Sequence, residues 1–359
     1  MRAGANEAIS GGWRAAAPGR VPAPVRSFTC GVCRQLLFFD NSRCLRCGSA
    51  LAFDWESREL LTRPDGPPCA NRAAAGCNCL AAAPGEFCRA CALTRTRPAD
   101  GDAAGMAGWG RVEAAKRRLL LELLELGLPV QAWNERDGGL AFDLLSSAFE
   151  PVTTGHADGV ITIDLAEADA AHREQMRVQM GEPYRTVLGH LRHEVGHYYF
   201  PILTERDADR ERVRALLGDE REDYQAALDR HYADGPPAGW ADAHVSAYAT
   251  MHPAEDWAET FAHVLHLHDV LQTAAAYGLR VEGPPGRPDL HADPVDPAAG
   301  RLAAVLDDWL GLTYALNAID RSLGRGDFYP FVLPPPVVAK LTLVDDLIGE
   351  TAARVLTSS

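Results

Sequence analysis

No run of 18 apolar residues occurs in this chain of 359 residues, so nothing in it reads as a membrane-spanning helix. The first 26 residues lack the continuous apolar stretch of a secretory signal. Rich in Ala, Gly, Pro and Arg, they are expected to form a disordered extension. Basic residues are also in short supply: 35 Lys and Arg face 49 Asp and Glu, a net charge of −14. The deficit is uneven, because residues 1–102 carry 13 Arg against 9 acidic residues, which leaves about −18 on the remainder. An acidic second part argues against a nucleic-acid groove there. The mildly basic first part supports one only weakly, so no nucleic-acid partner is expected. No internal repeat is present beyond a pairing of cysteine clusters. The balance of 47% apolar and 23% charged residues is that of a soluble globular protein, long enough for two domains and a sizeable core.

Nine cysteines without a secretory signal point to a reducing cytoplasm and to metal binding, not to disulfides. Cys30-Gly-Val-Cys33 and Cys44-Leu-Arg-Cys47 are two CxxC pairs ten residues apart, the spacing of a four-thiolate zinc ribbon. Leu36–Phe39 and Ala50–Phe53 are its expected strands. So small a unit has little core, and the metal supplies the missing stability. A redox role fits less well, since no βαβ pattern surrounds the pairs. Cys69, Cys77, Cys79, Cys88 and Cys91 then offer five thiols for a second four-coordinate site, and spacing leaves open which one is spare.

The densest chemistry lies at His193-Glu194-Val195-Gly196-His197. On a helix, residues four apart share a face, so both imidazoles can reach one metal ion. Glu194 would stand beside the metal, placed to take a proton from water. A catalytic zinc needs a third protein ligand and an open position. About sixty residues on, His252-Pro-Ala-Glu-Asp-Trp-Ala-Glu259 reads as a helix start, with Pro253 in the first turn and acidic residues favoured by the helix dipole. Glu255 and Glu259 share a face. One can bind the metal while the other hydrogen-bonds a ligand histidine, or both are ordinary solvated charges. His190 faces the same side as His193 and reads as a buried neighbour of the site. His263, His266 and His268 lie turns beyond Glu255 and read as core or surface groups.

These residues resemble those of the bacterial zinc-binding metallopeptidases that carry an N-terminal cysteine-rich zinc-ribbon region. The similarity runs from about Phe28 to Leu347. Its most specific pieces are the two cysteine clusters, Arg192–Tyr199, Ser246–Ala249 with His252–Thr260, and Arg321–Gly324 with Asp327–Phe331. The peptidase core is also similar to the gluzincins, in its Tyr-x6-Glu-x-x-Ala-Glu arrangement. The resemblance implies that Glu255 is the third ligand, that Glu259 supports a ligand histidine, and that Tyr248 steadies the oxyanion. It favours Cys69, Cys77, Cys88 and Cys91 for the second cluster, with Cys79 standing where the family has tryptophan.

Elsewhere, Pro98–Gly108 reads as a linker, Trp109–Leu126 as an amphipathic helix, and Leu140–Leu144 and Val160–Leu165 as strands. The resemblance places the second of these at the edge an extended substrate would join, and an ordinary core strand fits it equally well. Glu182–Tyr199 is the expected metal helix, ended by Pro201. Glu205–Arg230 reads as a solvated helix, Gly278–Gly300 as a Pro/Gly/Asp-rich connection, Leu302–Leu323 as a helix and Val332–Ile348 as a final packed segment. The expected fold class is α+β. A disordered extension (1–26) precedes a zinc-ribbon region (27–98) with two four-cysteine zinc sites. A mainly helical, zincin-like metallopeptidase domain with a small β-sheet (105–350) follows. The expected activity is zinc-dependent peptide hydrolysis by one catalytic Zn2+ at His193, His197 and Glu255, with two structural Zn2+. Its substrate is a peptide or protein, and the ribbon region offers a site for a protein partner. Two alternatives stand beside it: a binding or regulatory module on a peptidase-derived scaffold, and a latent protease opened by a partner.

Overall fold

The structure, a computed structural model, describes residues 27–179, 182–284, 292 and 302–358. The expected extension 1–26 lies outside them, as does most of the connection expected over 278–300.

The cysteine-rich segment is made of short antiparallel hairpins. β1 (Phe28–Thr29) pairs with β2 (Leu36–Leu37), and β3 (Leu51–Asp54) with β4 (Glu59–Thr62). Phe53 is their hub, met edge-on by Phe28, Phe39 and Trp55. Two single-turn helices follow, α1 (Arg72–Ala75) and α2 (Arg89–Ala92), and then β5 (Thr94–Thr96). β5 leaves the hairpins behind and joins a four-stranded sheet with β6 (Ala141–Leu145), β7 (Gly155–Ala157) and β8 (Val160–Asp164), in the order β5-β6-β8-β7. β5, β6 and β8 run parallel, and β7 is antiparallel to β8.

Parallel neighbours need a long crossover. α3 (Ala103–Glu125) supplies the one between β5 and β6. It starts six residues before the expected Trp109, where the Asp102 carboxylate accepts from the Gly105 N–H at 2.8 Å. The small residues that read as a linker are there for close packing: a Cβ on Gly108 would lie 3.1 Å from the Leu165 carbonyl oxygen. Of the two roles open to the strand over Val160–Leu165, edge or core, it takes the inner one. β8 lies between β6 and β7, and the outer position belongs to β7, a three-residue strand too short to show alternation.

The helices that carry the remainder are α4 (Ala170–Gln179), α5 (Val187–Leu203), α6 (Asp207–Leu217), α7 (Tyr224–Asp234), α8 (Pro253–Ala276), α9 (Leu302–Ser322) and α10 (Pro335–Ser358). α5 begins later than expected because Thr186 caps it, its hydroxyl accepting from the Gly189 N–H at 2.9 Å. It also runs through Pro201 to Leu203. Proline in the last turn forfeits one backbone bond where the ladder is ending anyway. The expected Glu205–Arg230 helix is broken at Gly218, whose φ of 98° an L-residue rarely adopts, and becomes α6 and α7. The class is α+β, as expected, with a core centred on the fully buried Trp109, Tyr199, Trp257, Phe261 and Trp309.

Candidate active site

α5 and α8 lie unusually close, and a glycine explains it. A Cβ on Gly196 would stand 3.0 Å from Ala258 Cα and 3.3 Å from Phe261 Cβ. Trp257 then donates its indole N–H to the Gly196 carbonyl at 2.8 Å. α8 itself starts at Pro253, with the His252 ring accepting from the Ala254 N–H. Its first two turns therefore face the middle of α5. Arg192 holds α5 from the other side, donating to Glu122 on α3 at 2.9–3.0 Å and to Asp269 on α8 at 2.7 Å.

This packing brings His193, His197 and Glu255 together. The His193 and His197 Nε2 atoms are 3.2 Å apart, and Glu255 Oε2 lies 3.0 Å from the first and 3.5 Å from the second. Glu259 meets His193 Nδ1 through Oε1 at 2.7 Å and accepts from the Ser246 hydroxyl at 2.6 Å. A carboxylate only accepts, so Nδ1 carries a proton and the neutral ring points its Nε2 lone pair at another imidazole nitrogen and another carboxylate. Three lone-pair donors facing one another, two of them buried and His197 half-buried, are unfavourable unless a positive charge sits among them. Burial pushes the His193 imidazole down, but Glu255 and Glu259 outweigh it and raise it well above its ordinary value. Burial also acts to raise Glu255, yet the two histidines hold it below the usual carboxylate range. A divalent cation answers the same demand, and two imidazoles with one carboxylate suit zinc.

Glu194 lies on the wall of the same cleft, a cavity of ≈ 460 Å³ lined also by His156, Tyr224, Tyr248 and Trp257. Its Oε1 is 3.2 Å from His190 Nε2, and His190 Nδ1 is 2.6 Å from Glu167 Oε2. Burial works to lower the His190 imidazole, but the two carboxylates raise it to about 9. Glu194 itself, against its burial, is lowered by His190 and the neighbouring histidines. Tyr248 lies in a short turn before α8, its ring centre 6.0 Å from that of His193. Burial and the nearby Glu255 charge raise its phenol, which keeps the proton available for donation.

Three contacts were not visible in the sequence: the Glu167–His190 bridge, Ser246 on Glu259, and the Tyr224 hydroxyl donating to Glu255 Oε1 at 3.0 Å. They join residues from separate elements, and only the Ser246–Ala249 motif marked one of them. The distal histidines lie away from the site, as expected: His263 meets the Tyr329 hydroxyl, His266 meets Arg192, and His268 meets Asp345.

In the cysteine-rich segment the sulfurs of Cys30, Cys33, Cys44 and Cys47 lie within 4.8 Å of one another, and so do those of Cys69, Cys77, Cys88 and Cys91. Cys79, buried beside them on a bridge to Phe53, is outside that group. All nine cysteines are free thiols.

A zinc ribbon joined to a helical unit with this histidine–glutamate cluster defines a class, and the comparisons agree with it. Residues 27–102 match a zinc-ribbon domain family. Residues 105–347 match the family described as "Putative zinc-binding metallo-peptidase", and the chain belongs to that family. Proteins described only as uncharacterized, from Mycobacterium tuberculosis and Mycobacterium bovis, are 50% identical over 335 residues, covering 91% of this chain and 96% of their own length. No solved structure matches the chain.

Proposed function

We propose that the protein is a zinc-dependent peptidase of the HExxH gluzincin type. The observation that carries this is the convergence of His193, His197 and Glu255 in a cleft whose wall holds Glu194. Zinc held by these three residues would act as a Lewis acid and bring a bound water's pKa toward neutrality. Glu194 takes the proton of the attacking water and hands it to the departing amine. His190, bridged to Glu167, fixes the Glu194 carboxylate so that its other oxygen is free for this transfer. Tyr248 donates to the carbonyl oxygen as charge builds there. Glu259 holds the His193 tautomer, and Tyr224 holds Glu255 by its outer oxygen. Gly155 and His156 of β7 line the cleft, so an extended peptide would bind by adding a strand at this edge.

Two four-thiolate zinc sites complete the metal content, one at Cys30, Cys33, Cys44 and Cys47, the other at Cys69, Cys77, Cys88 and Cys91. The first exposes Val32, Leu36, Phe38 and Leu45, an apolar surface suited to a protein partner. Among the described residues no helix is long and apolar enough to cross a membrane. Thiols kept free for metal fit a cytoplasmic setting. Digestion of a proteome-derived peptide library by wild type and by Glu194→Gln tests the function: cleavage should be present in the first and lost in the second, with zinc content equal. Equal cleavage by both would remove Glu194 from the mechanism.

A further inference from the structure

The second cysteine cluster lies in a dry seam between the cysteine-rich segment and α3. Cys69, Cys77, Cys88 and Cys91 are all buried. α3 lends that seam four polar side chains. Trp109 and Lys116 donate to Glu113 Oε1 at 3.2 and 2.9 Å, Thr94 bonds both Lys116 and Glu113, and Glu113 Oε2 stands 3.7 Å from Cys91 Sγ. Lys116 and Glu113 thus cancel each other's charge. Arg117 is left over. It is 3% exposed, and its Nε and Nη1 are buried without a hydrogen-bond partner. A guanidinium is not buried unpaired unless negative charge faces it. Arg117 lies one helical turn from Glu113, which touches Cys91: burial lowers the guanidinium's pKa, and the cage sulfurs of Cys77 and Cys91, with neighbouring Cys79 and Glu113, more than restore it. Glu113 is already matched by Lys116 and burial keeps the Cys79 thiol protonated, so the charge left for Arg117 is that of the cage. A divalent ion in four thiolates carries a net charge of about −2. The first cluster has no such need, because Cys47 is exposed and Cys33 half-buried, so water can answer the charge.

We propose that Arg117 is the counter-cation of the second cysteine cage, making a thiolate-held zinc part of the seam between the cysteine-rich region and α3. The inference rests on zinc occupying that cage, which Cys77→Ser tests separately: that variant should hold one zinc fewer than wild type. If it does not, the cage assignment fails whatever Arg117 does. With the cage established, zinc content and the rate of zinc release to a chromogenic chelator are compared in wild type, Arg117→Met, Arg117→Gln and Arg117→Lys. The two uncharged variants should lose one zinc or release it about tenfold faster, while Arg117→Lys stays near wild type. Wild-type release from the uncharged variants overturns the proposal. So does loss in Arg117→Lys equal to theirs, which would make shape and not charge the cause. Should the uncharged variants fail to fold, Cys91→His, which lightens the cage by one charge, is combined with Arg117→Met. Recovery of a folded, zinc-bearing double variant supports the counter-cation. Failure beside a folded Cys91→His overturns it.

Discussion

Two tyrosines reach the cleft, and their hydroxyls face different tasks. Tyr224 touches Glu255 before any substrate arrives, whereas Tyr248 is proposed to act on charge that exists only in the transition state. Tyr224→Phe should therefore weaken zinc binding at the histidine site by about 10–100-fold. Tyr248→Phe should keep its zinc and lose about 10²–10³ in kcat with KM nearly unchanged. A zinc titration and steady-state kinetics on any cleaved peptide separate the two, and wild-type kcat in Tyr248→Phe would strike that residue from the mechanism. The two glutamates differ in the same way. Glu255→Ala should empty the histidine site and leave the cysteine-bound zinc in place. Glu259→Ala should only loosen it, by about 10–100-fold, because its contact is to His193 Nδ1 on the far side of the ring. Metal analysis that shows the reverse order would exchange their roles. Helix spacing made these carboxylates and the histidine pair legible in the sequence. His190 was legible as a neighbour of the site, but its partner Glu167 lies 23 residues away, and Tyr224 lies 31 residues from Glu255. No local period relates positions that far apart.

Among the elements, α8 was the most readable, because Pro253 and the acidic first turn are end signals with a mechanism behind them. α3 and β7 were the least. Small residues at the start of α3 looked like a linker, though they serve its contact with the turn after β8, and β7 has too few residues for any pattern. Gly196 belongs to neither group. It lies inside the most conspicuous motif of the chain, yet its purpose shows only when α8 is placed against it. Gly196→Ala gains helix propensity, by about 1 kcal/mol. Against this, the new methyl must displace Ala258 and Phe261, which costs about 1–3 kcal/mol in a packed contact. The net change in stability should be small. The displacement falls within a turn of both Glu255 and Glu259, so zinc affinity should drop about tenfold while the melting temperature moves by only a few degrees. Competition against a chelator, run beside a melting curve, checks the split, and unchanged affinity would mean that the helices absorb the methyl elsewhere.

For the whole molecule, the prediction is three zinc ions per chain, two in thiolate cages and one at the histidines. Cys30→Ser should lose one of them and Cys79→Ser none, since Cys79 lies outside both cages. Elemental analysis that finds no more than one zinc in carefully prepared protein would overturn the cage assignments. Composition and cysteine spacing pointed to two units in series. What they could not foretell is that β5, part of the segment matched by the zinc-ribbon family, pairs in parallel with β6 of the segment that follows. If the cysteine cages hold zinc as proposed, that one strand ties the later sheet to metal binding. The cysteines leave the ribosome more than a hundred residues before His193, and domains fold as they emerge. A nascent chain starved of zinc would reach its later helices with the first strand of their sheet still unformed. On the proposed zinc occupancy, the metal supply would thereby bear on the chain before its histidine–glutamate cleft exists.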